Sequence, residues 1–172
     1  MSSLASAITG PSRSKVVSVG HLSVPVPRPG SAGLRRRVRR AIARESLIPP
    51  AGRVLVALSG GGDSVALAAL LCDLASTAPW SVAGFLHINH HLRPGAADDE
   101  AFCRELARDF DVPILVEHAD VGECARVERV SIEEAGHRLR YAAFADVVTG
   151  GRADRVATAH TRDDLAETVL LR

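Results

Sequence analysis

Residues 55–67 read LVALSGGGDSVAL. Four apolar residues, Leu55 to Leu58, run directly into Ser59-Gly60-Gly61-Gly62-Asp63-Ser64, and apolar spacing resumes at Val65. The pattern is a buried strand, a tight turn and a helix. Glycine is costly in such a turn unless something must approach the backbone closely. Three glycines leave backbone N–H groups facing a concavity without Cβ atoms in the way, and the following helix N-terminus adds partial positive charge. That combination suits an anion, above all phosphate. Ser59 and Ser64 can add hydroxyl hydrogen bonds. Asp63 would repel phosphate unless it holds Mg²⁺ bound to the same group; the plainer alternative is an Asp capping a tight turn.

Outward from this turn, strands and helices alternate. RVLVAL (53–58), WSVAGFLHI (80–88), PILVEHA (113–119) and DRVATAH (154–160) read as strands. Helices are expected over 63–74, 96–110, 131–150 and from 161 onward. Ser131 with Glu134 forms the sequence of a capping box, and Thr161 is placed to cap the last helix. This order predicts an α/β fold: a doubly wound, mostly parallel sheet with helices on both faces. Right-handed crossovers bring every strand-to-helix loop to one sheet edge, and the first and fourth of these strands flank the switch point where ligands bind.

Composition narrows the chemistry. The chain has 172 residues and a net charge of +1. Lys15 is its only lysine, so neither a Walker-type Gly-Lys-Ser/Thr loop nor a Schiff-base lysine in the globular part is available. Cys72, Cys103 and Cys124 are far apart and never Cys-x-x-Cys, which argues against a disulfide framework or a cysteine-only metal site and for a reducing, cytoplasmic setting. No apolar run approaches the roughly 20 residues a bilayer requires. Residues 1–32, rich in Ser, Pro and Gly, read as a flexible leader ahead of a domain over 33–172. Leu34 to Leu47 reads as an amphipathic helix with arginines on its outer faces, either simply solvated or in contact with an RNA backbone. The sequence ends at Arg172 inside an apolar helical pattern with no cap, which points to an incomplete domain.

SGGGDS resembles the pyrophosphate-loop pattern Ser-Gly-Gly-x-Asp-Ser of the N-type ATP pyrophosphatases, the PP-loop superfamily with an adenine nucleotide alpha hydrolase-like fold. Three further stretches resemble the tRNA(Ile)-lysidine synthetases within it. HINHHLR (87–93) is similar to the family's His-Val/Ile-Asn-His-Gly-Leu-Arg, with His91 where glycine is usual, a departure that matters if the backbone there needs positive φ. ATAHTRDDLAET (157–168) is similar to Ala-Thr-Ala-His-x-x-Asp-Asp-x-Ala-Glu-Thr. EEAGHRLRY (133–141) is similar to Glu-x-x-x-Arg-x-x-Arg-Tyr, with His137 in place of an arginine. For each stretch an alternative stands beside this one: a metal site at the three histidines, dipole-friendly acids in a first turn, and a salt-bridged helix surface.

The resemblance implies ATP and Mg²⁺ as cofactors, tRNA(Ile) and free L-lysine as partners, and no membrane; a homodimer is compatible with it. It implies ligation of lysine to C2 of the wobble cytidine through an adenylated intermediate. It places nucleotide contacts at Ser59, Gly60, Gly61, Gly62, Asp63, Ser64, Asn89 and His90. It gives Asp63, Arg93, Asp163 and Asp164 the catalytic roles, with Asp63 and Asp164 on the metal. Glu133, Arg140, Tyr141, His160, Glu167 and Thr168 are left to the substrates. A tRNA 2-thiolase, which would want a Cys-x-x-Cys pair, and a non-catalytic nucleotide-binding remnant are the alternatives.

Overall fold

The structure, a computed structural model, describes residues 32–92 and 94–159, together with the backbone of 16–19 and 22–25. Two short strands, β1 (Val16–Val19) and β2 (Leu22–Pro25), pair antiparallel within the N-terminal stretch. Then follow α1 (Ala32–Arg44), β3 (Arg53–Ala57), α2 (Gly62–Ala75), β4 (Ser81–Asn89), α3 (Ala96–Asp109), β5 (Ile114–His118), α4 (Val121–Glu128), α5 (Ile132–Thr149) and β6 (Arg155–Ala157). The last four strands form one sheet in the order β5-β4-β3-β6, with every neighbouring pair parallel.

This is the expected α/β architecture. β3 lies centrally because it is apolar on both faces. Val54, Val56 and Leu58 pack with Leu70, Leu71 and Leu74 of α2 and with Cys103 and Leu106 of α3. Leu55 and Leu86 turn the other way, onto Val147, Phe144 and Ala153. The chain leaves β3 for β4 and β5 on one side and returns to β6 on the other. The topological switch therefore falls between β3 and β6, and the C-terminal ends of both strands open onto one crevice.

Two glycine-dependent features shape β4. Between Val54 and Leu55 the β3–β4 register skips Ala83, so that Leu55 faces Gly84. Gly84 holds φ 150°, and a Cβ there would stand 2.4 Å from the Pro113 carbonyl oxygen. Phe85 N–H donates to that same oxygen at 2.9 Å. The bulge thus presses β4 against the entry to β5, an approach only glycine permits.

α4 is not anticipated by apolar periodicity, since it has eight residues and a glycine in its first turn. Asp120 caps it, accepting a hydrogen bond from Glu123 N–H at 2.9 Å. Val121 and Ala125 then pack on Ala135 of α5. At the start of α5, Ser131 Oγ accepts from Glu134 N–H at 3.0 Å, so the cap forms as expected. The Glu134 carboxylate does not reach back, however; it binds Arg138 at 2.6 Å, where the charge on an exposed i,i+4 partner holds it. No helix among the described residues is long and apolar enough to cross a membrane.

Candidate functional site: a cleft at the sheet switch point

A cleft of about 520 Å³ opens at the C-terminal ends of β3, β4 and β6. Its floor is the Ser59–Ser64 turn. Gly60 takes φ 86°, the left-handed conformation that favours glycine. Gly61 is the N-cap of α2 and supplies no side-chain cap. The first helical bond runs from Val65 N–H to Gly61 O at 3.2 Å, so the amides of Gly62, Asp63 and Ser64 precede the helical ladder and stand at the cleft. A Cβ on Gly62 would meet nothing within 4 Å. The floor is thus open and lined by unladdered amides at a helix N-terminus, an arrangement that can receive an anion.

The two serines hold the turn. Ser64, buried, donates its hydroxyl hydrogen to Gly61 O at 2.8 Å and accepts from Ser59 N–H at 3.2 Å. Ser59 Oγ donates to Ser64 Oγ at 3.1 Å and accepts from Gly61 N–H at 3.4 Å. Ser64 therefore acts here as an internal staple, and Ser59 is the hydroxyl on the exposed side. Asp63 lies in the first turn of α2, exposed, lining the cleft, and without an ion-pair partner among the described residues.

The β4–α3 loop forms one wall. Asn89 is buried, and all its polar atoms are used. Its Nδ2 donates to Glu100 Oε2 at 3.1 Å and to Ala96 O at 3.3 Å, while its Oδ1 accepts from His91 N–H at 3.0 Å. His91 adopts φ 53°, so the position where the resembling motif has glycine does have a left-handed backbone. The Asn89 side chain holds that turn, and the His91 ring stacks on His118 with centroids 5.1 Å apart. Asn89 and Arg104 donate to Glu100 and hold its carboxyl below the usual carboxylate range.

His90 lines the cleft beside His87. Burial first, then Arg140 and His87, push its pKa below the ordinary histidine value. His87 is buried, and its Nδ1–H donates to Leu58 O at 2.8 Å. His87 Nε2 and His90 Nδ1 are buried atoms with no partner among the described residues, and both residues border the cleft. Such atoms suit a bound polar group or water.

From α5, Arg140 and Phe144 reach the opposite wall. Tyr141 does not line the cleft. Its ring, half exposed, lies between His137 at 4.4 Å and Phe144 at 5.6 Å, one step behind the wall. Glu133 sits exposed in the first turn of α5, about two helical turns from Arg140, and does not border the cleft. Arg93, His160, Asp163, Asp164, Glu167 and Thr168 lie outside the described residues.

The cleft also contains residues that sequence reasoning gave no role. Asp99, in the first turn of α3, comes within van der Waals range of a Cβ placed on Gly60, and Thr158 closes the β6 side. Asp99 reads in sequence as one more first-turn acid; only the topology brings it over the glycine turn. The cysteines take no part. Burial pushes the Cys72 thiol up to about 11 and, with Asp99 and Glu100 adding to it, the Cys103 thiol up to about 12.

Comparison with known proteins bears on the family and the fold. A family model described as a PP-loop domain matches residues 33–172. A tRNA(Ile)-lysidine synthase of Geobacter sulfurreducens is 42% identical over 138 residues, covering 80% of this chain and 29% of the relative. Its counterpart in Symbiobacterium thermophilum is 41% identical, covering 79% and 28% respectively. The chain thus spans less than a third of the length of the curated relatives it matches. Among solved structures, the U34-tRNA thiolase NcsA from Methanococcus maripaludis with its 4Fe–4S cluster superposes with a TM-score of 0.66 at 22% identity, over 80% of this chain and 48% of that one. That likeness concerns the fold.

Proposed function

The chain belongs to the PP-loop domain family, and from that premise we propose that it carries the ATP-activating site of a tRNA(Ile)-lysidine synthase. The observation behind this reading is the meeting, in one cleft, of the amide floor at Gly61–Ser64, the Asn89–His91 turn and Arg140. Two substrates of opposite character need such a site: a triphosphate, and a base presented to it.

The reaction proposed has two displacements. The C2 oxygen of the wobble cytidine attacks the α-phosphorus of ATP, and pyrophosphate leaves. The ε-amine of free lysine then attacks C2, and AMP departs with that oxygen. The amides of Gly62, Asp63 and Ser64 take up the charge growing on pyrophosphate, with Ser59 and Gly60 shaping the turn around it. One well-placed donor of this kind is typically worth about 3–4 kcal/mol of barrier. Asn89 fixes the loop that presents His90 to the nucleotide. Arg140 faces the incoming base, with Tyr141 behind it.

Mg²⁺ fits this donor set. Asp63 is a hard carboxylate ligand without an ion-pair partner among the described residues, next to the amides that would hold phosphate, and Mg²⁺ is commonly held by one or two carboxylates plus substrate phosphates. Asp63 and Asp164 would hold it, and bound there it would offset phosphate charge. Asp163, Arg93, His160, Glu167 and Thr168 are proposed to complete the catalytic and substrate contacts, on the strength of their motifs, and Glu133, outside the cleft, is proposed to meet only the tRNA around it. The high thiol pKa values and the scatter of the three cysteines speak against sulfur chemistry.

Pyrophosphate release from ATP tests the reading. It should require both tRNA(Ile) and lysine for full turnover, with AMP formed in equal amount. Turnover indifferent to lysine would eliminate the assignment, and ATP binding without any turnover would favour a nucleotide-binding role alone.

A further inference from the structure

The cleft leaves one strongly charged surface unexplained. Helix α1 carries Arg35, Arg36, Arg37, Arg39, Arg40 and Arg44 and no acidic residue. It therefore holds +6 in a chain whose net charge is +1, leaving −5 on the rest. The segregation is costly. Arg36–Arg40 and Arg40–Arg44 are like charges at i,i+4, each destabilising an isolated helix by a few tenths of a kcal/mol. The first turn, where acids are favoured, has none.

Part of this charge is balanced. Arg35 pairs with Asp73 at 2.7 Å, Arg39 donates to Thr77 Oγ1 at 3.0 Å, and Arg44 pairs with its neighbour Glu45. Arg36, Arg37 and Arg40 make no hydrogen bond or ion pair with the described residues, and all three are exposed. With i,i+3 and i,i+4 spacing they share the outer face of α1. The inner face is occupied: Ile42 and Val38 pack into the core with Leu74 and Trp80. A basic helix whose apolar side is already buried lacks the hydrophobic face that membrane-surface helices insert.

Position then narrows the partner. Arg35 and Arg39 fasten α1 to Asp73 and Thr77, at the end of α2 remote from the glycine turn. Gly62 and Asp73 are eleven residues apart on that helix, about 16 Å at 1.5 Å per residue. A single nucleotide in the cleft cannot reach this surface; a folded polynucleotide can.

We propose that the Arg36–Arg37–Arg40 face of α1 binds the phosphate backbone of the tRNA whose anticodon enters the cleft, an inference that rests on the function proposed above. It positions the RNA without reading its sequence.

The test measures binding of a tRNA(Ile) transcript to the chain between 50 and 200 mM salt, for the unmodified protein and for an Arg36→Gln/Arg37→Gln/Arg40→Gln variant. Removing one arginine–phosphate pair should reduce the slope of log K against log salt by about 1, so a fall of about 2–3 is expected for the triple variant. ATP binding should be unchanged, and the corresponding Lys triple variant should restore most of the slope. An unchanged slope in a Gln variant that melts normally overturns the inference and leaves the functional reading standing. Absence of tRNA binding by the unmodified chain removes both. Loss of binding to phosphatidylserine vesicles, with the tRNA slope intact, would assign the surface to a membrane and contradict the proposal.

Discussion

Asn89 and Glu100 are joined by a 3.1 Å hydrogen bond from Nδ2 to Oε2, and this bond ties the last residue of β4 to the first turns of α3. The same side chain holds the left-handed turn at His91 through its Oδ1. One buried amide therefore determines where the wall carrying His90 stands. Replacing it by alanine leaves the His91 amide and the Glu100 carboxylate without this partner. We expect Asn89→Ala to lower stability by about 1–3 kcal/mol and to weaken ATP binding further than the change in stability accounts for. Urea denaturation together with nucleotide titration checks both. Unaltered ATP affinity in a folded variant would show that the loop is positioned by other groups.

Gly84→Ala acts on the scaffold. The new Cβ would stand 2.4 Å from the Pro113 carbonyl oxygen, a backbone atom that cannot swing away, at φ 150°. Strain of this kind costs of order 1–3 kcal/mol, and the clash adds to it. The denaturation midpoint should fall markedly. A midpoint within error of the parent would mean that β4 and β5 approach each other less closely than this distance implies.

Gly62→Ala and Gly61→Ala together separate folding from function. A Cβ at Gly62, the first position of α2, meets no protein atom within 4 Å, and alanine favours the helix over glycine by up to about 1 kcal/mol. Stability of Gly62→Ala should hold or rise. Position 62 is the variable one in the Ser-Gly-Gly-x-Asp-Ser pattern, so affinity for ATP and pyrophosphate should be little changed, whereas Gly61→Ala, at a glycine that the pattern fixes and that lines the cleft, should lower it at least tenfold. Normal affinity in Gly61→Ala would place the phosphates elsewhere.

Much of this site was legible locally. The four sheet strands, the glycine turn and the switch between β3 and β6 follow from apolar runs broken by glycine, because short-range sterics and burial dictate them. The glycine-like demand at residue 91 was legible too, and histidine meets it with φ 53°. Helix α4 was not, since Gly122 and its short length mask the periodicity; the Asp120-x-x-Glu123 cap was the available signal. Asp99 depends on packing formed only when α3 and the turn meet, and the Ser64 hydroxyl turns inward because Gly61 O and Ser59 take up its hydrogen bonds, a detail of turn geometry that residue types do not show. The motif sets Glu133 beside Arg140 in sequence, but two turns of α5 separate it from the cleft that Arg140 lines.

His90 predicts a pH response. Its folded pKa lies below the ordinary value of 6.5, chiefly through burial and then through Arg140 and His87. The unfolded ring takes up a proton more readily than the folded one. Its contribution to stability is therefore complete above pH 6.5 and declines as pH falls from there toward the folded pKa. His90→Asn should flatten that part of the profile between pH 8 and 5, measured as urea midpoints. Parallel profiles for the two proteins would contradict the assigned shift.

The central claim is that the backbone amides of the Ser59–Ser64 turn receive the phosphates of ATP. Amide ¹⁵N–¹H spectra recorded during titration with ATP–Mg²⁺, and separately with pyrophosphate, address it directly. Large saturable shifts at Gly61, Gly62, Asp63 and Ser64, with Arg36, Arg37 and Arg40 unmoved, are the predicted result. Binding that shifts other amides and leaves those four in place would contradict it.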